Sequence, residues 1–386
     1  MLAMRACTPS PIALGLALLG SVVGCSEASS SGEDGELVGS SSSSDDGSND
    51  GTLEEGSSGE PEGPPDACAD ACLERTTPEG TATCHSCRCK VALDDWLPTA
   101  LELQCSHAEP IVTYHAELSE TDYVLEPTAP GAMYCANPSL LTGSCRQGSK
   151  LGQLAHGDVS MYWICRDPYI DYDGTVLYHD MAVIGHNRRT GATCFWDDIN
   201  DVIHEDDAPP LDLLEASEEE RARSTEWFPY NDGSRCIKCH DHDPFLYTPH
   251  LQSTTWESVA ASKGPYHLVG LDGSARSTQV KELVSPQASA CTSCHRIGSN
   301  QTCSVFAPDA LAAHKGSLYE SQVHAAAEPG SPHWPLAYWM PGPMHAFGDF
   351  GEWESTYGSA REHILKCCEA PGVDGDGCQW RPVPVE

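Results

Sequence analysis

The sequence predicts a multidomain α+β protein. Its 386 residues suffice for two or three compact units. Short β-branched and aromatic runs cluster between residues 106 and 205, while helix-start signals cluster after 206. Twenty cysteines are far above cytosolic usage and point to an exported, disulfide-stapled chain. The formal net charge is −36, and no Lys/Arg cluster offsets it. This balance excludes nucleic acid as the main partner. The single long apolar run lies near the N-terminus, which excludes a multi-span membrane protein.

Residues 1–25 read as a signal peptide, with Arg5 as its positive region and Pro11 to Val23 as its apolar stretch. They end in Val22-Val23-Gly24-Cys25, which resembles the bacterial lipoprotein cleavage box. The resemblance implies cleavage before Cys25 and lipid attachment to its thiol, and Ser26 in the next position favours the outer membrane. The other reading is a plain signal peptide with a cysteine near its end. Residues 26–67 contain almost only Ser, Gly, Glu, Asp and Pro, with twelve acids and no Lys or Arg. Such a segment lacks the apolar surface to offset ordering entropy and is expected to be a disordered, self-repelling linker, a tether if Cys25 is lipidated.

Residues 68–105 carry six cysteines: Cys68, Cys72, Cys84, Cys87, Cys89 and Cys105. So short a segment builds little core, and three internal disulfides are the expected staple. A metal on the Cys84-His85-Ser86-Cys87-Arg88-Cys89 run is the alternative. Residues 106–205 read as a β-rich unit. Its candidate strands are Ile111 to Tyr114, Met161 to Ile164, Thr175 to Tyr178, Met181 to Ile184 and Thr193 to Trp196, punctuated by turns at Asp171 to Gly174 and Asn187 to Gly191. Cys135 with Cys145, and Cys165 with Cys194, are plausible bridges across it.

Residues 206–284 open with Ser217-Glu-Glu-Glu220, a capping-box pattern for a helix reaching Trp227 before Pro229 stops it. Cys236-Ile-Lys-Cys239-His240 follows on a short helix. Residues 285–386 begin with Ser285-Pro286, an N-cap and a proline at the first helical position, and that helix runs into Cys291-Thr-Ser-Cys294-His295. A second short helix fits Pro308 to His314. Then comes the Met340-Pro-Gly-Pro-Met344 loop. The closing helix, Ser355 to Cys368, places Tyr357, Ala360, Ile364 and Cys368 on one face. Asp374-Gly-Asp376-Gly lacks a full calcium loop and reads as a turn.

Both pentapeptides are C-x-x-C-H, the attachment pattern of c-type haem. The spacing has a chemical reason. Two thiols add to the two vinyl groups of one porphyrin edge, and the adjacent His supplies an axial nitrogen to iron. The expectation is therefore two covalent haem c groups, one on Cys236, Cys239 and His240 and the other on Cys291, Cys294 and His295. Setting aside Cys7, Cys25 and these four thiols, fourteen cysteines remain, enough for seven disulfides. A zinc ribbon is disfavoured because Cys239 and Cys291 are too far apart, and disulfides alone remain the other use of these thiols.

A helix with C-x-x-C-H, a short helix, a Met-Pro loop and a closing helix together resemble a small class I cytochrome c domain, over roughly the last hundred residues. The resemblance implies that the first and last helices cross and that a Met supplies the sixth ligand of the second iron: Met340, with Met344 or a His as alternatives. For the first iron the candidates are His242, His250, His267, His179 and His186, or an open site; His242 is poorly placed so close to His240. The functional expectation is an exported, lipid-anchored dihaem cytochrome at the periplasmic or cell-surface face of the outer membrane. It would pass single electrons to or from a redox protein or small molecule. The alternatives are a haem enzyme of peroxidase type with one open iron site, and a non-redox, disulfide-rich binding protein.

Overall fold

The computed structural model describes residues 66–118, 123–127, 129, 145, 147–197, 202–228, 233, 235–246, 249–251, 263–293, 295–307 and 350–385. These residues form a mixed α/β structure with few helices, built around one eight-stranded sheet. The strands in it are β1 (Glu109–Pro110), β4 (Lys150–His156), β5 (Val159–Ile170), β6 (Val176–Asn187), β7 (Ala192–Asp197), β8 (Ile203–His204), β9 (His267–Val269) and β10 (Ala275–Arg276). Their order is β1-β4-β5-β6-β7-β9-β10, with β8 beside β6. Every pairing is antiparallel except β7 with β9. Strands β2 (Tyr114–Leu118) and β3 (Tyr123–Pro127) form a separate hairpin, and β11 (Lys281–Leu283) pairs with β12 (Trp380–Pro382).

The expected strand runs merge into longer ones. Met161 to Ile164 lies inside β5, and Thr175 to Ile184 is almost wholly the single strand β6. The turn at Asp171 to Gly174 joins them. Ile111 lies between strands, where its N–H donates to Ser149 O at 2.7 Å. The β6–β7 turn is built by Asn187, whose Oδ1 accepts from the N–H groups of Arg189 and Thr190 at 3.1 and 3.3 Å. Gly191 closes this turn at φ +83°. A Cβ there would lie 2.6 Å from the Pro265 carbonyl carbon, so the position requires glycine twice over.

Alternate residues of β5, β6 and β7 point to opposite faces, and both faces are covered. On one, Met161, Trp163, Cys165, Val183, Cys194 and Trp196 pack with Cys89 and Leu93 of helix α1 (Pro78–Ala92). On the other, Tyr162, Ile184, His186 and Phe195 meet the segment that carries the first C-x-x-C-H. Two-sided burial explains why these strands read as continuous apolar runs rather than as an alternation.

The disulfides correct the expected connectivity. Cys68–Cys87 and Cys72–Cys84 are internal to the N-terminal cysteine-rich segment, but Cys89 bonds to Cys194 and Cys105 to Cys165. A Cys165–Cys194 bridge is ruled out by register. Cys165 faces Met181 and Cys194 faces Gly185, so β6 lies between them and the two cysteines sit four residues apart along it. Segment 68–105 is thus bolted to the sheet rather than closed by three bonds of its own. Cys145 is also disulfide-bonded, whereas Cys135 lies outside the described residues.

Helix α2 (Glu218–Trp227) starts at the expected capping box, with Ser217 and Glu220 bonded reciprocally. The helical start at Ser285-Pro286 is shorter than expected: a 3₁₀ turn, Pro286–Ala288, leads into α3 (Ser289–Thr292). Ser285 Oγ accepts from Gln379 N at 2.9 Å and makes no cap bond. The closing helix α4 (Phe350–Cys367) buries Ala360 and Ile364, in line with its predicted face. Ile364 packs with Leu283, Ala288, Ile297, Cys303 and Trp380, while Cys303–Cys368 and Cys367–Cys378 pin the helix end. The expected helix at Pro308 to His314 lies outside the described residues. No described helix is long and apolar enough to cross a membrane.

Loop-closure entropy ranks the bridges. The pair Cys89→Ser/Cys194→Ser opens a loop of 105 residues and is expected to cost about 5 kcal/mol. The pair Cys72→Ser/Cys84→Ser opens one of 12 residues and is expected to cost about 3 kcal/mol. Denaturant unfolding of the two variants checks this order; equal losses would mean that α1 docks on the sheet without its bond.

Candidate functional site

The described residues of each C-x-x-C-H lie on or beside a short helical turn. The first lies on the 3₁₀ turn Cys236–Lys238, where His240 N donates to Cys236 O at 2.8 Å. The second lies on α3, where His295 N donates to Cys291 O at 3.0 Å. In both, the first Cys and the His are therefore one turn apart and share a side of the helix. Cys236 packs beside Ile184, Ile237 and Phe195, and Cys291 packs against the α4 cluster. Cys239 is disulfide-bonded. Cys294, Met340, Met344 and Cys25 lie outside the described residues.

The His240 ring meets Phe195 at 5.3 Å between centroids, and Tyr266 Oη donates to the His240 carbonyl at 2.7 Å. Burial pushes the His240 pKa down to about 4, against a backbone hydrogen bond to Pro244 that pulls the other way. Burial also lowers His295, with the charge of Lys263 adding to the effect. Both rings are thereby kept neutral, the form in which imidazole binds a metal.

The two segments are joined by buried ionic contacts that the sequence reading did not identify. Arg296, next to His295, donates Nη1 to the His242 carbonyl at 2.7 Å and to Asp243 Oδ1 at 3.0 Å. Its Nε donates to Glu282 Oε2 at 3.0 Å, and its Nη2 donates to Gly264 O at 2.8 Å. Asp241 accepts from the N–H groups of Asn300 and Thr302 at 3.1 and 3.2 Å. Gly298 permits the contact, since a Cβ there would lie 2.8 Å from His242 Cβ. The only sequence signal was position: Arg296 and Asp241 each directly follow a motif histidine.

His242 is occupied by this network. Its Nδ1 lies 2.6 Å from Asp241 Oδ1 and 2.7 Å from Thr302 Oγ1. Burial alone would lower its pKa, but the Asp241 hydrogen bond and the charge of Asp243 outweigh burial and raise it. Of the other sixth-ligand candidates, His179 is exposed and stacks on Tyr169 at 4.4 Å. His267 alternates with Leu268 on β9 and so lies on the α1 side of the sheet. His186 and His250 are buried on the motif side.

Two further His/Cys groups are close enough for a metal: His85 with Cys89 and Cys194, and His363 with Cys367 and Cys378. In each, the two cysteines are bonded to one another, which removes the thiolate ligands. The alternative of a metal on residues 84–89 fails for the same reason, because Cys84, Cys87 and Cys89 are all in disulfides. No protein family, curated protein or solved structure matches this chain.

Cys236 with His240, and Cys291 with His295, each stand one helical turn apart, the spacing that covalent haem would require. Cys239 fits only once its disulfide is opened, because thioether and disulfide exclude each other at one sulfur.

Arg296→Met leaves Asp243 and part of Glu282 buried without their partner, which is expected to cost about 3–5 kcal/mol. Arg296→Lys recovers little, since one ammonium cannot span four acceptors on three sides. Urea unfolding tests both, and a loss below about 1 kcal/mol for Arg296→Met would place these carboxylates in contact with water.

Proposed function

We propose that the chain is an exported dihaem c-type cytochrome that transfers single electrons. In this reading residues 1–25 direct export, Cys25 carries the lipid anchor, and residues 26–67 are the tether. Segments 68–105 and 106–205 form the disulfide-rich module and the β-rich unit. Segment 206–284 holds the first haem, and 285–386 is the cytochrome c-like domain of the second. The protein would stand at the periplasmic or cell-surface face of the outer membrane, exchanging electrons with a redox protein or a small molecule and not with nucleic acid. An electron carrier is favoured over a peroxidase-like enzyme.

One observation supports the reading: in each C-x-x-C-H the first cysteine and the histidine lie one helical turn apart, and the two segments are joined through Arg296 and Gly298. Haem c in such a site supplies a one-electron iron couple within a thioether-fixed porphyrin. Cys236 and Cys239 would hold the first porphyrin edge, and Cys291 and Cys294 the second. His240 and His295 would offer the proximal nitrogens. Burial of both imidazoles keeps their lone pairs unprotonated at neutral pH. Met340, with Met344 as alternative, stays the proposed sixth ligand of the second iron. Contact between the Cys291 turn and the α4 cluster supports the cytochrome c likeness of the last segment.

A second reading is favoured by one fact, the disulfide at Cys239. A sulfur in a disulfide has no hydrogen to add across a vinyl group, so haem attachment requires prior reduction by a thiol donor. If that reduction never occurs, the chain is a disulfide-stapled binding protein.

Intact mass separates the two. Protein exported from a host with cytochrome maturation machinery is expected to carry two porphyrins, about 1.2 kDa in total. Cys236→Ser/Cys239→Ser should lose one and keep the other. Colourless wild-type protein at the unmodified mass would leave only the binding-protein reading.

A further inference from the structure

Two disulfides outside both C-x-x-C-H motifs share one arrangement. His85 and Cys89 on α1, and His363 and Cys367 on α4, are each four residues apart and so lie on one side of their helix. Each histidine brings Nε2 to the sulfur, 3.3 Å from Cys89 Sγ and 3.4 Å from Cys367 Sγ. Both sulfurs are in disulfides, Cys89–Cys194 and Cys367–Cys378. A disulfide sulfur has no hydrogen to give, so the ring N–H is the donor in both contacts and the sulfur a weak acceptor.

This contact gains in strength when the bond opens. Thiol–disulfide exchange leaves a thiolate on one of the two sulfurs, and it runs faster the better that thiolate is stabilised. A hydrogen bond to a charged sulfur is stronger than one to a neutral sulfur. The N–H of His363 therefore favours Cys367 as the leaving sulfur and Cys378 as the one attacked.

Access separates the two sites. Cys89, Cys194 and His85 are all buried, with the His85 ring edge-on to Trp196 at 5.2 Å, and an attacking thiol would have to lift α1 off the sheet. Cys367 and Cys378 are also buried, but His363 is only half-buried, and Cys378 directly follows residues 373–377, all exposed. That turn is held by few contacts: Trp380 N donates to Asp374 Oδ1 at 2.7 Å, and Lys366 Nζ donates to the Asp376 carbonyl at 2.9 Å. Local opening of so short a segment uncovers Cys378 and leaves the core in place. The two cysteines also stay close once their bond is broken. Cys368 remains bonded to Cys303, and Gln379 remains tied to Ser285 Oγ at 2.9 Å and to the Val284 N–H at 2.8 Å.

We propose that Cys367–Cys378 is a thiol–disulfide exchange site for a dithiol, with His363 receiving the leaving sulfur. The thiolate of the dithiol attacks Cys378 Sγ and forms a mixed disulfide, and the electron pair of the broken bond passes to Cys367 Sγ against the His363 N–H. The second thiol of the dithiol then displaces Cys378 as a thiolate. The dithiol leaves as a disulfide, oxidised by two electrons. The protein keeps two reduced cysteines, which take up the two protons that the dithiol released. Neither cysteine belongs to a C-x-x-C-H, so the exchange is independent of haem attachment.

The test is the order in which disulfides open in the full-length exported protein, with dithiothreitol as the probe. Thiols already present are blocked with one alkylating reagent, those that appear during reduction are trapped with a second, and peptide mapping identifies them. Cys367 and Cys378 are expected to be trapped together, ahead of Cys89 and Cys194. His363→Leu keeps a cover over the sulfur and His363→Ala removes it, but both lack the N–H. Both are expected to slow the opening of Cys367–Cys378 about tenfold and to leave Cys89–Cys194 unchanged. Opening of Cys89–Cys194 as early as Cys367–Cys378 in wild type overturns the assignment, as does an unchanged rate in both variants. A rate that falls in His363→Leu but rises in His363→Ala makes His363 a lid and overturns its part in the exchange. For a variant that folds poorly, the ratio of the two opening rates is read, because global unfolding exposes both bonds together.

Discussion

The long antiparallel pairing of β5 with β6 is the constraint on which the rest of this molecule depends. It runs from Val159 opposite Asn187 to Ile170 opposite Val176, and it fixes which side chains go to which face. A register slip of one residue would exchange the faces. Met161 and Trp163 would then leave α1, and Tyr162 and Ile184 would leave the first C-x-x-C-H. Both coverings hold this register from outside. Cys105–Cys165 anchors β5 and Cys89–Cys194 anchors β7, each to the N-terminal cysteine-rich segment. Gly185 lets α1 approach closely, since a Cβ there would come within 2.7 Å of Leu93 Cδ1.

Among the described residues, the sheet face opposite α1 has little helix to cover it. What covers it is the irregular segment around residues 235–251, and such a segment has few backbone hydrogen bonds of its own. Its order comes from outside contacts: Tyr266 on the His240 carbonyl, Arg296 on the His242 carbonyl, and Phe245 on Tyr162. The segment is therefore positioned by the second C-x-x-C-H region as much as by the sheet. Arg296, a buried guanidinium with four acceptors, ties the two C-x-x-C-H segments together in a geometry that admits little drift.

Local chemistry was legible in the sequence where it depends on near neighbours. The capping box Ser217–Glu220, the buried positions Ala360 and Ile364 of the closing helix, and the β runs of residues 161–196 all rest on spacings within a few residues. The pairing of Cys89 with Cys194 and Cys105 with Cys165 was not legible. It depends on α1 lying over β7, a contact between segments a hundred residues apart. The Arg296 contacts escaped for a similar reason: an isolated arginine carries no periodic signal, and its partners come from Asp243, Gly264 and Glu282. Of the candidate site, residue types and spacing at Cys236 to His240 and Cys291 to His295 were readable. The roles of His179, His242, His186 and His267 were not, because strand parity and hydrogen bonding separate them and neither exists before the sheet does.

The two C-x-x-C-H regions are walled differently. The second packs within its own stretch of chain, against α4 and the Leu283–Trp380 strand pair. Among the described residues, the apolar wall of the first region is the face of β5, β6 and β7 bearing Tyr162, Ile184 and Phe195. The other side of such a wall carries Met161, Trp163, Val183 and Trp196, apolar side chains that need a cover of their own. Helix α1 supplies the cover, and a helix of little amphipathic character holds its place because disulfides tie it down. The cysteine-rich module is thus the outer layer on one face of a sheet whose other face meets the first C-x-x-C-H segment.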